Sequence, residues 1–376
     1  MEEKIKILVT LGSLGIGGNE MFAMNLFRHI NKAKFHMDFV VYDNNRLDYF
    51  DEVIKGGSKV FFCESNKKNK IRQLIDQKHK VLHILNQEKY DIIHCNSCSF
   101  FGMLPGVLAG RKAGIKVISH SHNVGRAQNN WLDKILRGAL KKVLCNQVDY
   151  GFSCSDFAGN SKYTESFIKS NRYMVINNAI ETKDYIFDET KRKSARSEFG
   201  IQDDEFVIGH VGRFEEQKNQ IFLIDIFYEL IKMHPKSRLL FIGTGSLFEK
   251  CKEKVKKLEI EQRVIFAGQR DDVSKLYNAM DCLAFPSLFE GFPFVLVEAQ
   301  INGLKCIVSD RISKSVKITR GVCFLNLDDT KQTWAEHIRD SINSRMGEED
   351  LSNAIKLYDL DNSTRYIEKL YLRLLR

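Results

Sequence analysis

Two glutamates, Glu290 and Glu298, stand eight residues apart in Pro286-Ser287-Leu288-Phe289-Glu290-Gly291-Phe292-Pro293-Phe294-Val295-Leu296-Val297-Glu298-Ala299. That spacing spans about 12 Å in a helix and more where the chain is extended, too wide for one acid–base pair at a single bond. It suits two anchors on one elongated ligand, each carboxylate accepting hydrogen bonds from hydroxyls at a different end. Two of the four prolines in the chain bracket this segment. Pro293 is expected in the first turn of a helix, with the backbone N–H groups of Phe294 and Val295 placed to meet an anion. A second cluster, Gly209-His210-Val211-Gly212-Arg213-Phe214-Glu215-Glu216-Gln217-Lys218-Asn219, sets two cations five residues apart. Arg213 offers a planar fork and Lys218 a point charge, a pair able to hold a diphosphate and to neutralise charge building on a departing phosphate. A third, Leu11-Gly12-Ser13-Leu14-Gly15-Ile16-Gly17-Gly18-Asn19-Glu20, precedes a helical pattern from Met21. Glycines there let backbone amides approach an anion, but the spacing is not G-x-G-x-x-G, which argues against a nicotinamide cofactor.

All three clusters need strands to carry them. Short β-rich runs begin at Ile5, Met37, Lys59, Asp91, Lys116 and Tyr150, and again at Phe206, Arg238, Arg263, Asp281 and Lys305, with helical stretches between. Strands alternating with helices predict parallel sheets wrapped by helices, and 376 residues favour two such domains. The fold class is α/β, two Rossmann-like doubly wound domains facing across a cleft, with ligands at the carboxyl ends of the strands. The charged stretch from Glu181 to Ser197 marks the boundary: 1–181 is the first domain, 182–200 the linker and 201–360 the second domain. In 361–376, Asp361-Asn362-Ser363-Thr364 opens a closing helix with Tyr366, Ile367, Leu370, Tyr371 and Leu374 at helical spacing.

On these residues the chain resembles glycosyltransferase family 4, retaining enzymes of the GT-B fold. Glu290 and Glu298, preceded by Asp281 and Pro286-Ser287 and followed by Ala299-Gln300 and Ser309-Asp310, are similar to the donor-site signature of that family. Gly17-Gly18-Asn19-Glu20 resembles its amino-terminal glycine loop, Arg213 and Lys218 its diphosphate pair, and Gly243-Thr244-Gly245 its second-domain turn. The segment Phe266-Ala267-Gly268-Gln269-Arg270-Asp271-Asp272-Val273 resembles its base-binding stretch. Ser119-His120-Ser121-His122-Asn123 and Phe152-Ser153-Cys154-Ser155 resemble the branch that builds bacterial exopolysaccharide and capsule repeat units.

The resemblance implies a nucleotide-diphosphate sugar, UDP-linked in preference to GDP-linked, held mainly by the second domain. Its acceptor, a glycan or polyprenyl-diphosphate-linked oligosaccharide, is then held mainly by the first, to which the final helix would cross back. Glu298 would accept from ribose hydroxyls and Glu290 from the donor sugar. Arg213 and Lys218 would stabilise the leaving diphosphate, with amides of Gly17, Gly18, Gly212, Phe294 and Val295 assisting and Gln269 and Arg270 beside the base. His122 matches the first-domain histidine of the family, placed near the anomeric carbon, and His120, two residues earlier on the same strand face, could take that role. No cofactor and no metal are implied. Ala179, in Asn178-Ala179-Ile180, stands where family members carry glycine, so the turn is expected to avoid positive φ. The rival readings are a nucleotide-sugar epimerase on the same scaffold and a catalytically silent, membrane-associated scaffold.

Composition narrows the field further. The chain is 43% hydrophobic and 28% charged, which excludes disorder as its main state. Of the net charge of +9, residues 1–190 hold +7, with 27 Lys+Arg against 20 Asp+Glu. Between Asn130 and Leu144, Trp131, Leu132, Ile135, Leu136, Ala139, Leu140 and Val143 share one helical face opposite Lys134, Arg137 and Lys141. That helix and the basic stretch 67–80 could meet an anionic membrane surface. The basic excess lacks a motif for reading bases, so nucleic acid is not expected as a partner. Glu2 and Glu3 stand where a signal peptide carries basic charge, and no apolar run reaches membrane-spanning length. The expected location is therefore the cytoplasm, with peripheral attachment to the inner face of the plasma membrane. Nine cysteines, an odd number, fit reduced thiols. The pair in His94-Cys95-Asn96-Ser97-Cys98 could be drawn as a zinc site with His120 or His122, but no second Cys-x-x-Cys completes it.

Overall fold

In the computed structural model of the chain, the described residues are 3–45, 47–122, 131–177, 179–290, 293–342 and 345–376, with the backbone alone for 131–133. Asn123, Asn178, Gly291, Phe292 and the side chains of Trp131 and Leu132 lie outside them. β1 (Ile5–Leu11), β2 (Phe35–Val41), β3 (Val60–Phe62), β4 (Ile92–Ser97), β5 (Lys116–Ser121), β6 (Tyr150–Ser153) and β7 (Tyr173–Val175) form one parallel sheet. Its order is β3-β2-β1-β4-β5-β6-β7. A second parallel sheet holds β8 (Phe206–Val211), β9 (Ser237–Ile242), β10 (Val264–Phe266), β11 (Cys282–Phe285), β12 (Lys305–Ser309) and β13 (Val322–Leu325). Its order is β10-β9-β8-β11-β12-β13. Each order reverses once, between β1 and β4 and between β8 and β11, where the following loops diverge and leave a crevice at the strand carboxyl ends.

Helices on both faces explain why the strands read as continuous apolar runs: β8 and β11 are buried at every position. The two-residue period still sorts side chains by face. Ile7, Val9 and Leu11 pack with Phe22, Phe27 and Phe39, whereas Leu8 packs with Val40, Ile93 and Val107. In the second sheet Phe206 and Ile208 join Phe227 and Trp334, while Val207 and Val211 join Tyr277 and Leu296.

The chain divides into two units, Met1–Ala179 with Leu360–Arg376, and Ile180–Asp359. Within the first, the helix Leu360–Leu374 sets Ile367, Leu370 and Tyr371 into the core around Ile7 and Phe22. The stretch 182–200 is not an open linker. It carries the helices Thr182–Tyr185 and Glu189–Glu198 and belongs to the second unit. Its charges explain the difference: Arg192 and Arg196, one turn apart, both reach Asp281, at 2.6 and 2.7 Å. Strands β7 and β13 were not expected from the sequence; both are short edge strands whose few residues give no period to read. Ala179 is not among the residues with positive φ. All nine cysteines are free thiols, seven of them buried. Among the described residues no helix is long and apolar enough to cross a membrane.

Candidate active site

The second unit gathers most of the expected residues at its switch point. The loop after β8 leaves the strand at Gly212 and passes Arg213. It then forms a 3-10 turn, Glu216–Lys218, before the helix Gln220–Met233. Asn219 makes the join with φ 56, a left-handed conformation that Asn tolerates better than most side chains. From there its amide Nδ2 donates to the Pro286 carbonyl at 3.2 Å, tying this loop to the one after β11. The tie is doubled where Leu288 N donates to the Gln217 carbonyl at 2.8 Å. Between these two struts Lys218 Nζ lies 2.7 Å from Glu290 Oε1, and Gln217 Nε2 donates to Glu290 Oε2 at 3.1 Å. The Lys218 and Glu290 side chains are 16% and 8% exposed. Lys218 also sits 4.8 Å over the Phe285 ring. Gly212 makes room for the lysine, since a Cβ there would lie 3.2 Å from Lys218 Cε. Gly243, with φ 131, lets the next loop press on the Gly212 carbonyl where any side chain would collide.

Arg213 is placed differently. It is exposed and, among the described residues, makes no ion pair, while Gln220 Nε2 holds its carbonyl at 2.9 Å. The sequence paired it with Lys218. The structure gives Lys218 to Glu290 and leaves Arg213 with an uncompensated guanidinium on the same loop.

Glu298 lies on the helix Phe294–Ile301, for which Pro293 is the residue just before the first turn rather than within it. Phe294 and Val295 are therefore the first two helical positions. Tyr277 Oη donates to Glu298 Oε2 at 2.7 Å, and the Tyr185 hydroxyl lies close enough to favour the charged form of the same carboxylate. Burial pushes the Glu298 carboxyl above its ordinary value, and these two hydroxyls pull it partly back. Neither tyrosine carries a motif, and their sequence distance from Glu298 hid them. Gln269 is exposed after β10. The Arg270 guanidinium, expected beside a nucleotide base, is occupied by Asp272 at 2.7 and 2.8 Å and by Glu198 at 2.8 Å. Asp281, part of the expected donor signature, sits at the amino end of β11 and binds the two arginines described above.

Gly17, Gly18 and His122 belong to the first unit. Gly17 is the extended residue before the helix Gly18–His29. A Cβ on it would lie 2.5 Å from Glu20 Oε2, so the missing side chain leaves room for that carboxylate. His122 follows β5 half-buried, its Nε2 3.2 Å from Asn96 Oδ1. His120 stacks beneath it at 4.0 Å and meets the Phe22 ring edge-on at 4.3 Å. Among the described residues both of its ring nitrogens are buried without a hydrogen-bond partner, so His120 supports the layer and His122 is the imidazole at its rim. His94 completes the stack, 5.8 Å from His120, with Nδ1 2.6 Å from Tyr371 Oη. Among the described residues no three His, Cys, Asp or Glu side chains gather as metal ligands.

These buried imidazoles carry a pH prediction. Burial pushes His94 down to about 3 and His210, whose Nδ1 lies 2.9 Å from the Ala284 carbonyl, down to about 4. The unfolded chain takes up a proton at each near pH 6.5. Stability is thus full above that value and falls as the pH drops, by up to about 1.4 kcal/mol per pH unit for each histidine. Thermal melts should move steadily down from pH 7 to pH 5; a flat profile would contradict the buried neutral rings.

The family relations agree with this geometry. The profile described as "Glycosyltransferase Family 4" matches residues 16–184, and that described as "Glycosyl transferases group 1" matches residues 191–357. The chain is 29% identical over 343 residues to EpsF of Bacillus subtilis, named as a glycosyltransferase, covering 89% of this chain and 86% of that one. It is 25% identical over 311 residues to the Escherichia coli UDP-Gal:alpha-D-GlcNAc-diphosphoundecaprenol alpha-1,3-galactosyltransferase, covering 78% and 76%. In fold it is similar to the Anabaena protein HepE in complex with UDP, with a TM-score of 0.76 and 17% identity over 99% and 100% of the two chains. With two doubly wound units and the sequence signatures of both halves, the chain belongs to glycosyltransferase family 4, transferase enzymes of the GT-B fold.

Proposed function

We propose that this enzyme is a retaining glycosyltransferase that moves a sugar from a UDP-linked donor to a glycan or polyprenyl-diphosphate-linked acceptor in bacterial surface polysaccharide synthesis. The observation that carries the reading is the Lys218–Glu290 pair, locked between the loops after β8 and β11 with the unpaired Arg213 beside it. Relatives support the substrates: HepE is seen with UDP, and the E. coli relative is named for a UDP-sugar donor and a lipid-diphosphate acceptor.

In this reading Glu290 accepts from donor-sugar hydroxyls and keeps Lys218 aimed at the diphosphate, and Arg213 closes on the same charge. As the bond from the anomeric carbon to the phosphate oxygen breaks, the acceptor oxygen bonds to that carbon from the same face. The departing oxygen takes the proton of the acceptor. The growing negative charge falls on Arg213, Lys218 and the amides of Phe294 and Val295, so the transfer needs no bound metal. His122 positions the sugar near its anomeric carbon, and the backbone at Gln269 and Arg270 meets the base. Gly17 and Gly18 assist through their backbone amides.

UDP should raise the melting temperature more than GDP, and the product should keep the anomeric configuration of the donor by NMR coupling constants, with an unchanged rate in EDTA. Inversion, or indifference to UDP, would refute the reading. Glu298 accepts from ribose hydroxyls, each such contact worth about 1.5–3 kcal/mol. Glu298→Gln should therefore weaken UDP binding about 10- to 100-fold by calorimetry. The raised carboxyl favours the neutral form, so the folded chain loses stability as the pH rises above the unfolded value. The variant should accordingly melt no lower than wild type at pH 7.5.

Attachment to an anionic membrane belongs to the same reading. On the helix Trp131–Gln147, Ile135 and Leu136 are 62% and 51% exposed beside Lys134, and on the helix Lys70–Gln87, Ile71 is 63% exposed beside Arg72. Their apolar side chains are not spent on the core. Flotation should show binding to phosphatidylglycerol vesicles and not to phosphatidylcholine; equal recovery with both would oppose it.

A further inference from the structure

We propose that Asn96 is a positioning residue for the transfer: its carboxamide fixes a proton on His122 Nε2 and leaves Nδ1 as the ring atom able to accept a hydrogen bond. Its part in catalysis rests on the transferase reading of His122, whereas the state of the ring does not. His94 and Asn96 on β4, and His120 on β5 with His122 just after it, alternate onto one face of the first sheet. Asn96 pairs with His120 in the ladder and is 1% exposed.

Two hydrogen bonds decide the tautomer. Asn96 Nδ2 donates to the His94 carbonyl at 3.3 Å. A carbonyl can only accept, so the amide nitrogen must face it, which turns Asn96 Oδ1 toward His122 Nε2 at 3.2 Å. That oxygen also can only accept, so Nε2 carries the hydrogen. Turning the amide over would set two oxygens against each other and lose the bond to His94. Other contacts keep the ring where the amide can reach it. His120 stacks on it at 4.0 Å, and the helix Gly18–His29 presents Phe22 at 5.2 Å. Cys154 Sγ, just after β6, donates to the His122 carbonyl at 3.2 Å. The described titratable groups that meet this residue are thus His94 from β4, His120 from β5 and the Cys154 thiol. Burial pushes His94 and His120 down, and a charge on His122 opposes one on either neighbour. The stack therefore favours a neutral His122, and Asn96 selects which neutral form it takes. In the transfer such a ring offers a lone pair, not a proton, to a hydroxyl of the donor sugar.

Proton–nitrogen NMR of the histidine-labelled full chain, with His122→Gln identifying the ring signals, tests this beside steady-state kinetics. Wild type should show the Nε2–H tautomer alone. Asn96→Leu should show both tautomers and lower kcat about tenfold or more with unchanged UDP affinity. Asn96→Asp keeps an acceptor for Nε2–H but adds a charge, which should raise the imidazole by about one pH unit or more. Its kcat should therefore be low near neutrality and climb toward the wild-type value as the pH rises and the ring loses the extra proton. The proposal is overturned if wild type holds Nδ1–H or a mixture, if Asn96→Leu keeps the wild-type tautomer or the wild-type kcat, or if the loss in Asn96→Asp is the same at every pH. Lower melting temperatures with the wild-type tautomer and pH profile would overturn it equally. UDP titration of the same samples separates the two readings: the Nε2–H tautomer without a UDP response would keep the ring assignment and remove the transferase reading on which its catalytic part depends.

Discussion

Arg213→Ala should lower kcat by about 100-fold or more while leaving the melting temperature unchanged within about 0.5 kcal/mol of stability. The two halves of that expectation have separate causes. The guanidinium is exposed and makes no ion pair among the described residues, so the fold loses little when it goes. In the proposed reaction it would face a diphosphate whose negative charge grows as the bond breaks, so its loss should fall more on the transition state than on donor binding. Lys218→Ala should lower kcat to a similar degree but also destabilise the chain by about 1–3 kcal/mol, because it strands Glu290, 8% exposed, with Gln217 as its remaining partner. Adding Glu290→Gln to Lys218→Ala should restore stability without restoring turnover. Steady-state kinetics with a UDP-sugar beside thermal melts of the four proteins reads this out. Wild-type turnover in Arg213→Ala, or equal melting losses in both single variants, would remove the roles assigned to this loop.

The contrast between Arg213 and Lys218 shows where sequence reading stops. Strand positions were legible because β-branched and aromatic runs recur with helices between them, and the loops after β8 and β11 were legible because glycine and proline punctuate them. What could not be read was partnership. Lys218 and Glu290 meet because β8 and β11 are neighbours across the reversal of strand order, a fact of topology with no local signal. Tyr185 and Tyr277 reach Glu298 from segments without motifs. Arg270 carries the right charge in the right segment, yet Asp272 and Glu198 hold it. A charged residue in a signature can touch ligand or scaffold, and only its neighbours decide which.

Asp281 is the scaffold case, and Asp281→Ala should destabilise the second unit by about 3–5 kcal/mol, the usual cost of leaving a buried charge without its partner. Its carboxylate accepts from Arg192 at 2.6 Å, from Arg196 at 2.7 Å and from the Val207 amide at 2.7 Å, joining the helix Glu189–Glu198 to the first strand of the sheet. Arg196 is 2% exposed and spends its other N–H groups on the carbonyls of Ala279, Gln202, Asp203 and Glu205. Arg345 is buried nearby, its Nη2 2.7 Å from the Met280 carbonyl, and burial pushes it down to about 10. Three guanidinium groups thus surround one carboxylate, and its removal leaves them repelling one another in a region of low solvation. For a unit of this size the loss corresponds to a melting shift of about 6–20 °C. KM for the donor should stay at the wild-type value below the new transition, since β11 presents Asp281 at the end opposite Glu290. Asp281→Asn, which keeps one acceptor for these donors, should fall between wild type and Asp281→Ala. A raised donor KM with an unchanged melting temperature in Asp281→Ala would return this residue to the binding site.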